Sequence, residues 1–101
     1  MASGGMREEM DAKIKTWEGE LERLRVALAR APESVHAQHT TRFVEVYRAK
    51  EVVKSRWEAV RGVYRPEPTD MDRFQEALSA MEQAWATSQA MFADVFRPMA
   101  A

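Results

Sequence analysis

Leu28-Ala29-Arg30-Ala31-Pro32-Glu33-Ser34-Val35 decides the fold of this chain. Proline lacks a backbone N–H and its ring pushes the preceding residue out of helical geometry, so a helix arriving at Ala31 stops or kinks. On either side of this stretch run seams of apolar residues at alternating steps of three and four. Upstream the seam reads Met10, Ile14, Trp17, Leu21, Leu24 and Leu28. Downstream it reads Phe43, Val46, Lys50, Val53, Trp57, Val60 and Tyr64. A third seam passes through Met71, Phe74, Leu78, Met81, Trp85, Ser88, Phe92, Val95 and Met99. Such steps stack residues on one side of an α-helix, because 3.6 residues complete a turn. The chain therefore reads as all-α, with one tryptophan in each seam.

The register slips close to Pro32. Leu28 and Val35 are seven apart, but Val35 and Phe43 are eight, and His36-Ala37-Gln38-His39-Thr40-Thr41-Arg42 between them is polar and holds several weak helix formers. Two architectures follow. If the chain reverses at residues 31–34, three helices of about 40 Å form an antiparallel three-helix bundle of coiled-coil type. If Pro32 only kinks, one helix of about 85 Å is covered over half its length by a shorter one. The bare seam from Trp17 to Leu28 then demands a second chain and a dimer. The similar lengths of the three segments favour the bundle.

The expected helices span 6–30, 33–62 and 70–97, within a single domain covering 6–99 and preceded by a flexible leader at 1–5. Gly62 closes the second helix in left-handed geometry, Pro66 and Pro68 forbid its continuation, and Thr69 or Asp70 caps the third. In the first helix, Glu9 with Lys13 and Asp11 with Lys15 stand at i,i+4 ion-pair spacing.

Composition removes several function classes. The chain has no cysteine, so disulfides and thiolate metal sites are excluded, and a reducing, cytoplasmic setting is compatible with that. No stretch approaches the roughly 20 apolar residues of a membrane span. The opening Met1-Ala2-Ser3-Gly4-Gly5-Met6 lacks the basic segment and apolar run of a secretory signal. Charge is uneven along the chain. Residues 32–65 carry seven bases against four acids, whereas residues 66–101 carry six acids against two bases. A basic second helix beside an acidic third favours their pairing.

Few residues carry chemistry. Glu33-x-x-His36 has the carboxylate–imidazole spacing of di-iron bundles, and His39 adds a nitrogen, but no second such pair exists. These residues read as a solvated polar patch beside a turn, and no metal or cofactor is expected. Ser3, Ser34, Ser55, Ser79 and Ser88 sit in no strand–turn–helix elbow, and no glycine-rich loop cradles phosphate. No catalytic residue and no small-molecule substrate follow. Arg42, Arg48, Arg56 and Trp57 could offer the second helix to nucleic acid, but the acidic third helix disfavours that partner. A membrane surface fits less well still, since the most apolar segment belongs to the acidic helix.

Lys50 and Ser88 are polar residues in seam positions. Lys50 either buries its stem and sends its ammonium toward an acid on the third helix, or fixes register at some cost. Met91, Phe92, Val95, Phe96 and Met99 make a stripe broader than a seam needs. That stripe is the candidate contact surface for another protein chain or a second copy.

The chain resembles a widespread group of small bacterial coiled-coil proteins, some labelled stress-response. The resemblance rests on Lys13-Ile14-Lys15-Thr16-Trp17 followed by Leu21 and Leu24, on Tyr47-Arg48-Ala49-Lys50, and on Phe74 and Trp85 eleven residues apart. It covers roughly residues 10–96. Phe74 stands where that group usually has tryptophan, and Pro32 interrupts a stretch that is normally continuous helix. The resemblance implies no catalytic residue and no cofactor. The expected function is a non-enzymatic structural or protein-interaction module, stress-associated by resemblance, with a nucleic-acid-binding module as the alternative.

Overall fold

The computed structural model describes residues 2–96, and the chain there is all-α. Its helices are α1 (Ala2–Arg30), α2 (Glu33–Val60), α3 (Pro68–Thr87) and α4 (Gln89–Phe96). Pro32 sits at φ −53° and ψ 150°, an extended conformation that ends the first helix, and its carbonyl accepts the His36 N–H at 3.0 Å to open the second. No continuous helix runs through it. Asp11 meets Arg61 and Glu18 meets Lys54, so α2 returns beside α1 in the opposite direction. Trp57 meets Phe74 and His39 meets Asp94, so the chain reverses again between α2 and α3.

The first seam is buried throughout, from Met10 and Ile14 to Leu24 and Leu28. Burying each large apolar side chain contributes about 1.5–3 kcal/mol. That anchored length explains why α1 begins at Ala2 and includes residues 2–5, expected as a leader outside the fold. Nucleation is the costly step; once the turns beyond Met10 are fixed, each added residue gains a hydrogen bond.

In α2, Val46, Lys50, Val53, Trp57 and Val60 are buried and Phe43 half-buried, but Tyr64 is 89% exposed. The helix ends before Tyr64 because Arg61 leaves helical geometry at ψ 124° and Gly62 takes φ 77°, a conformation that glycine accepts without Cβ strain. The α2 seam is recovered upstream by His39, 9% exposed, which falls seven residues before Val46. The register slip therefore closes through a polar side chain.

The third segment departs most from expectation. It starts at Pro68, since proline at the first helical position forfeits only an N–H that has no intrahelical acceptor. Glu67 occupies the cap position without a side-chain cap bond, and Thr69 and Asp70 lie inside the first turn. The helix expected to run to residue 97 breaks at Ser88. There the Trp85 carbonyl accepts the Ser88 N–H at 3.2 Å, the Ser88 hydroxyl at 2.7 Å and the Gln89 side-chain amide at 3.0 Å. Thr87 likewise donates to the Ala84 carbonyl. Short hydroxyl side chains thus compete with the backbone ladder, and α4 restarts after the turn.

The three tryptophans join the helices. Trp17 lies 6.3 Å from Trp85, Trp57 lies 5.0 Å from Phe74, and Trp85 lies 5.0 Å from Phe92, ring centre to ring centre. The molecule measures 54 × 27 × 18 Å. Among the described residues no helix is long and apolar enough to cross a membrane.

Candidate functional site

The ionisable side chains that approach the core show what the interior is built to do. Asp11 on α1 receives Arg61 on two sides, from Nε at 2.8 Å and Nη2 at 2.7 Å, and also the Trp57 indole N–H at 2.7 Å. The Arg61 guanidinium, and then the indole, lower its carboxyl to about 2. The expected i,i+4 pair of Asp11 with Lys15 is not what forms, because the bidentate guanidinium of Arg61, just past α2, outcompetes a single ammonium one turn away, and Lys13 does not take its expected partner Glu9. Lys13 instead pairs with Glu82 on α3.

Lys50 is 3% exposed, and its ammonium lies 2.7 Å from Glu51, 3.8 Å from Glu18 and 4.2 Å from the centre of the Tyr47 ring. The acid facing it across helices is on α1, not on the third helix. Glu18 also holds Lys54 at 2.7 Å, and this bond raises the Lys54 ammonium. Among the described residues the ion pairs of α2 with other helices go to α1 and, through His39, to α4. The charge pairing expected between α2 and α3 is thus absent among those residues. The apolar seams bring α2 and α3 together at Trp57 and Phe74, and the cations of α2 are taken by the acids of α1.

His39 and His36 separate. His39 Nε2 lies 3.1 Å from the Asp94 carboxylate of α4 and is buried, so it is no part of a solvated patch. His36 stays on the surface, with Nδ1 3.3 Å from the Thr40 hydroxyl. That hydroxyl donates its proton to the His36 carbonyl, so it meets the imidazole with no proton to give and the two do not form a base–nucleophile pair. Among the described residues no group of three or more histidine, aspartate or glutamate side chains is placed to hold a metal ion.

Of the broad terminal stripe, Met91 is buried in the core, while Phe92, Val95 and Phe96 are half-buried against it. The Arg23 guanidinium covers the Phe96 ring at 4.8 Å. Met99 lies outside the described residues. Sequence reasoning missed His39 as a core residue, and the signal was its spacing of seven from Val46. It also missed a second stripe on α2, where Val44, Tyr47 and Val52 remain 37%, 40% and 46% exposed. Comparison of the chain with protein-family models, with curated proteins and with solved structures finds no match.

Proposed function

We propose that this chain is a non-enzymatic structural or protein-interaction module, an antiparallel three-helix bundle of coiled-coil type whose last helix is broken at Ser88. One observation carries the reading. The polar groups drawn into the seams all end on partners within the chain: Lys50 on Glu51 and Glu18, His39 on Asp94, Ser88 on the Trp85 carbonyl. Lys50 on Glu18 and His39 on Asp94 tie helices together, the contacts of Lys50 on Glu51 and Ser88 on Trp85 stay local, and groups used this way are not poised toward a substrate. The likeness to bacterial coiled-coil proteins supports a cytoplasmic, stress-associated setting, with another protein chain or a second copy as partner.

A second reading, binding of nucleic acid by α2, draws on the exposure of Arg48 and Arg56, which have no ion-pair partner among the described residues. Electrophoretic mobility shifts with DNA and RNA at moderate salt separate the two. The interaction module leaves both unshifted, and a tight complex lost in Arg48→Glu/Arg56→Glu overturns it. Solution mass with small-angle scattering tests the architecture. A monomer close to 54 Å in length supports the bundle, whereas a dimer reaching about 85 Å overturns it.

A further inference from the structure

The large apolar side chains left exposed among the described residues are Val44, Tyr47, Val52, Val63 and Tyr64, all on α2 or the loop after it. Those on α2 are not scattered. Thr41, Val44, Arg48, Val52, Ser55 and Ala59 are all exposed and follow one another at steps of three, four, four, three and four. Eleven residues separate Thr41 from Val52 and Arg48 from Ala59, a repeat of about 3.67 residues per turn that keeps a stripe nearly parallel to the helix axis. The stripe runs for about 27 Å on the side of α2 turned away from Val46, Val53 and Trp57. Beside it lies an open groove of about 420 Å³ lined by Phe43, Val44, Tyr47 and Arg48, together with Arg25, which is paired to Glu22, and Glu51, which is paired to Lys50.

Charge says what fits there. Arg48 in the middle of the stripe and Arg56 at its edge have no ion-pair partner among the described residues. Of the acids flanking the stripe, Glu45 pairs with Arg42 at 3.5 Å and Glu51 with Lys50 at 2.7 Å, while Glu58 stands on the edge opposite Arg56. We propose that this outer stripe of α2 docks one acidic amphipathic helix of another protein. Its apolar face covers Val44 and Val52, with the groove at Tyr47 taking a larger side chain, and its carboxylates meet the two guanidiniums. A second copy of the stripe is the poorer occupant. Pairing Val44 with Val52 across a twofold axis sets Arg48 against Arg48, and like charges in contact disfavour that complex. Nucleic acid is poorer too, since Val52 between the cations would face phosphate. The proposal rests on the interaction-module reading and names its surface.

The test uses the full chain and two labelled helical peptides of about 21 residues, one with leucine and alanine along one face flanked by glutamates, the other with lysines replacing the glutamates. Fluorescence anisotropy is expected to show saturable binding of the glutamate peptide, with the lysine peptide at least tenfold weaker. Val52→Asp weakens the glutamate peptide at least tenfold, and Arg48→Glu/Arg56→Glu reverses the preference, with helical content checked by circular dichroism. No saturable binding, equal binding of both peptides, or indifference to Val52→Asp overturns the proposal. Concentration-dependent dimerisation abolished by Val52→Asp also overturns it and assigns the stripe to a second copy. If the peptides fail while nucleic acid stays unshifted, the stripe falls and the interaction-module reading stands. A nucleic-acid complex lost in the same double variant brings down both.

Discussion

Trp57 donates its indole N–H to Asp11 Oδ1 at 2.7 Å, fastening the C-terminal end of α2 to α1. A buried indole needs an acceptor, and this one comes from the carboxylate that Arg61 also grips. The clasp joins residues far apart in sequence and makes the α1–α2 pairing sensitive to acid. Asp11 is held at about 2 against an ordinary 3.8, so its contribution is fully present above pH 3.8 and is lost as pH falls through about 2. Urea midpoints followed between pH 5 and pH 2 should fall more in the native chain than in Asp11→Asn, which has no such carboxylate to protonate.

Removing the indole donor isolates the other half of the clasp. Trp57→Phe keeps an aromatic ring against Phe74 but leaves Asp11 with Arg61 alone. A loss of stability in denaturant unfolding is expected, and it should shrink in an Asp11→Asn background.

Trp17 and Trp85 face one another, yet their substitution should cost unequal amounts. Trp17 is 4% exposed whereas Trp85 is half-buried. Trp17→Ala is expected to lose about 3–5 kcal/mol, the range for emptying a packed core site. Trp85→Ala should lose less, because part of its ring already faces water. Chemical denaturation of both variants provides the measurement.

Lys50 should prove replaceable by a residue of similar shape. Its buried ammonium is paired, but the pairing has to offset the loss of hydration, and exchanging buried ions for apolar side chains is often neutral or stabilising by about 1–4 kcal/mol. Lys50→Met is expected to hold or raise the melting temperature at unchanged solution mass. A change in mass would reveal that Lys50 fixes register or chain number instead.

Ser88 is fully buried at the break between α3 and α4. Ser88→Leu should overfill the site and cost about 1–3 kcal/mol. Ser88→Ala, which removes the hydroxyl bond to Trp85, should change stability by about 1 kcal/mol or less. Thermal unfolding of the pair separates crowding from the loss of the bond.

The apolar periodicity located the buried residues well, because a step of three or four leaves little freedom over which side of a helix leaves water. Every residue of the first seam is buried, as are Val46, Val53 and Trp57 in the second. The helix ends were less legible. Proline at position 68 reads as a breaker in sequence, yet it serves as the first residue of α3, since only the bonds around it distinguish the two roles. The break at Ser88 was hidden for a related reason, as serine keeps the spacing of the seam while its hydroxyl competes for the Trp85 carbonyl. Net charge per segment set α2 beside α3, and those two helices do pack most extensively, but the ion pairs of α2 go elsewhere. Arg61, Lys50 and Lys54 all have acids of α1 within reach, whatever the total charge of α3.

The interruption at Ser88 should also divide the molecule kinetically. α4 has eight residues, too few to persist as a helix by itself in water. It is held by Met91 in the core, by Phe92 on Trp85, by Asp94 on His39 and by Phe96 beneath Arg23. These anchors on α4 lie beyond the break, so α4 can open as one unit while the Trp57–Phe74 contact and the Asp11 clasp stay shut. Amide protons of residues 92–96 should therefore exchange by a local route, and those around Val53 and Met81 only when the whole chain unfolds.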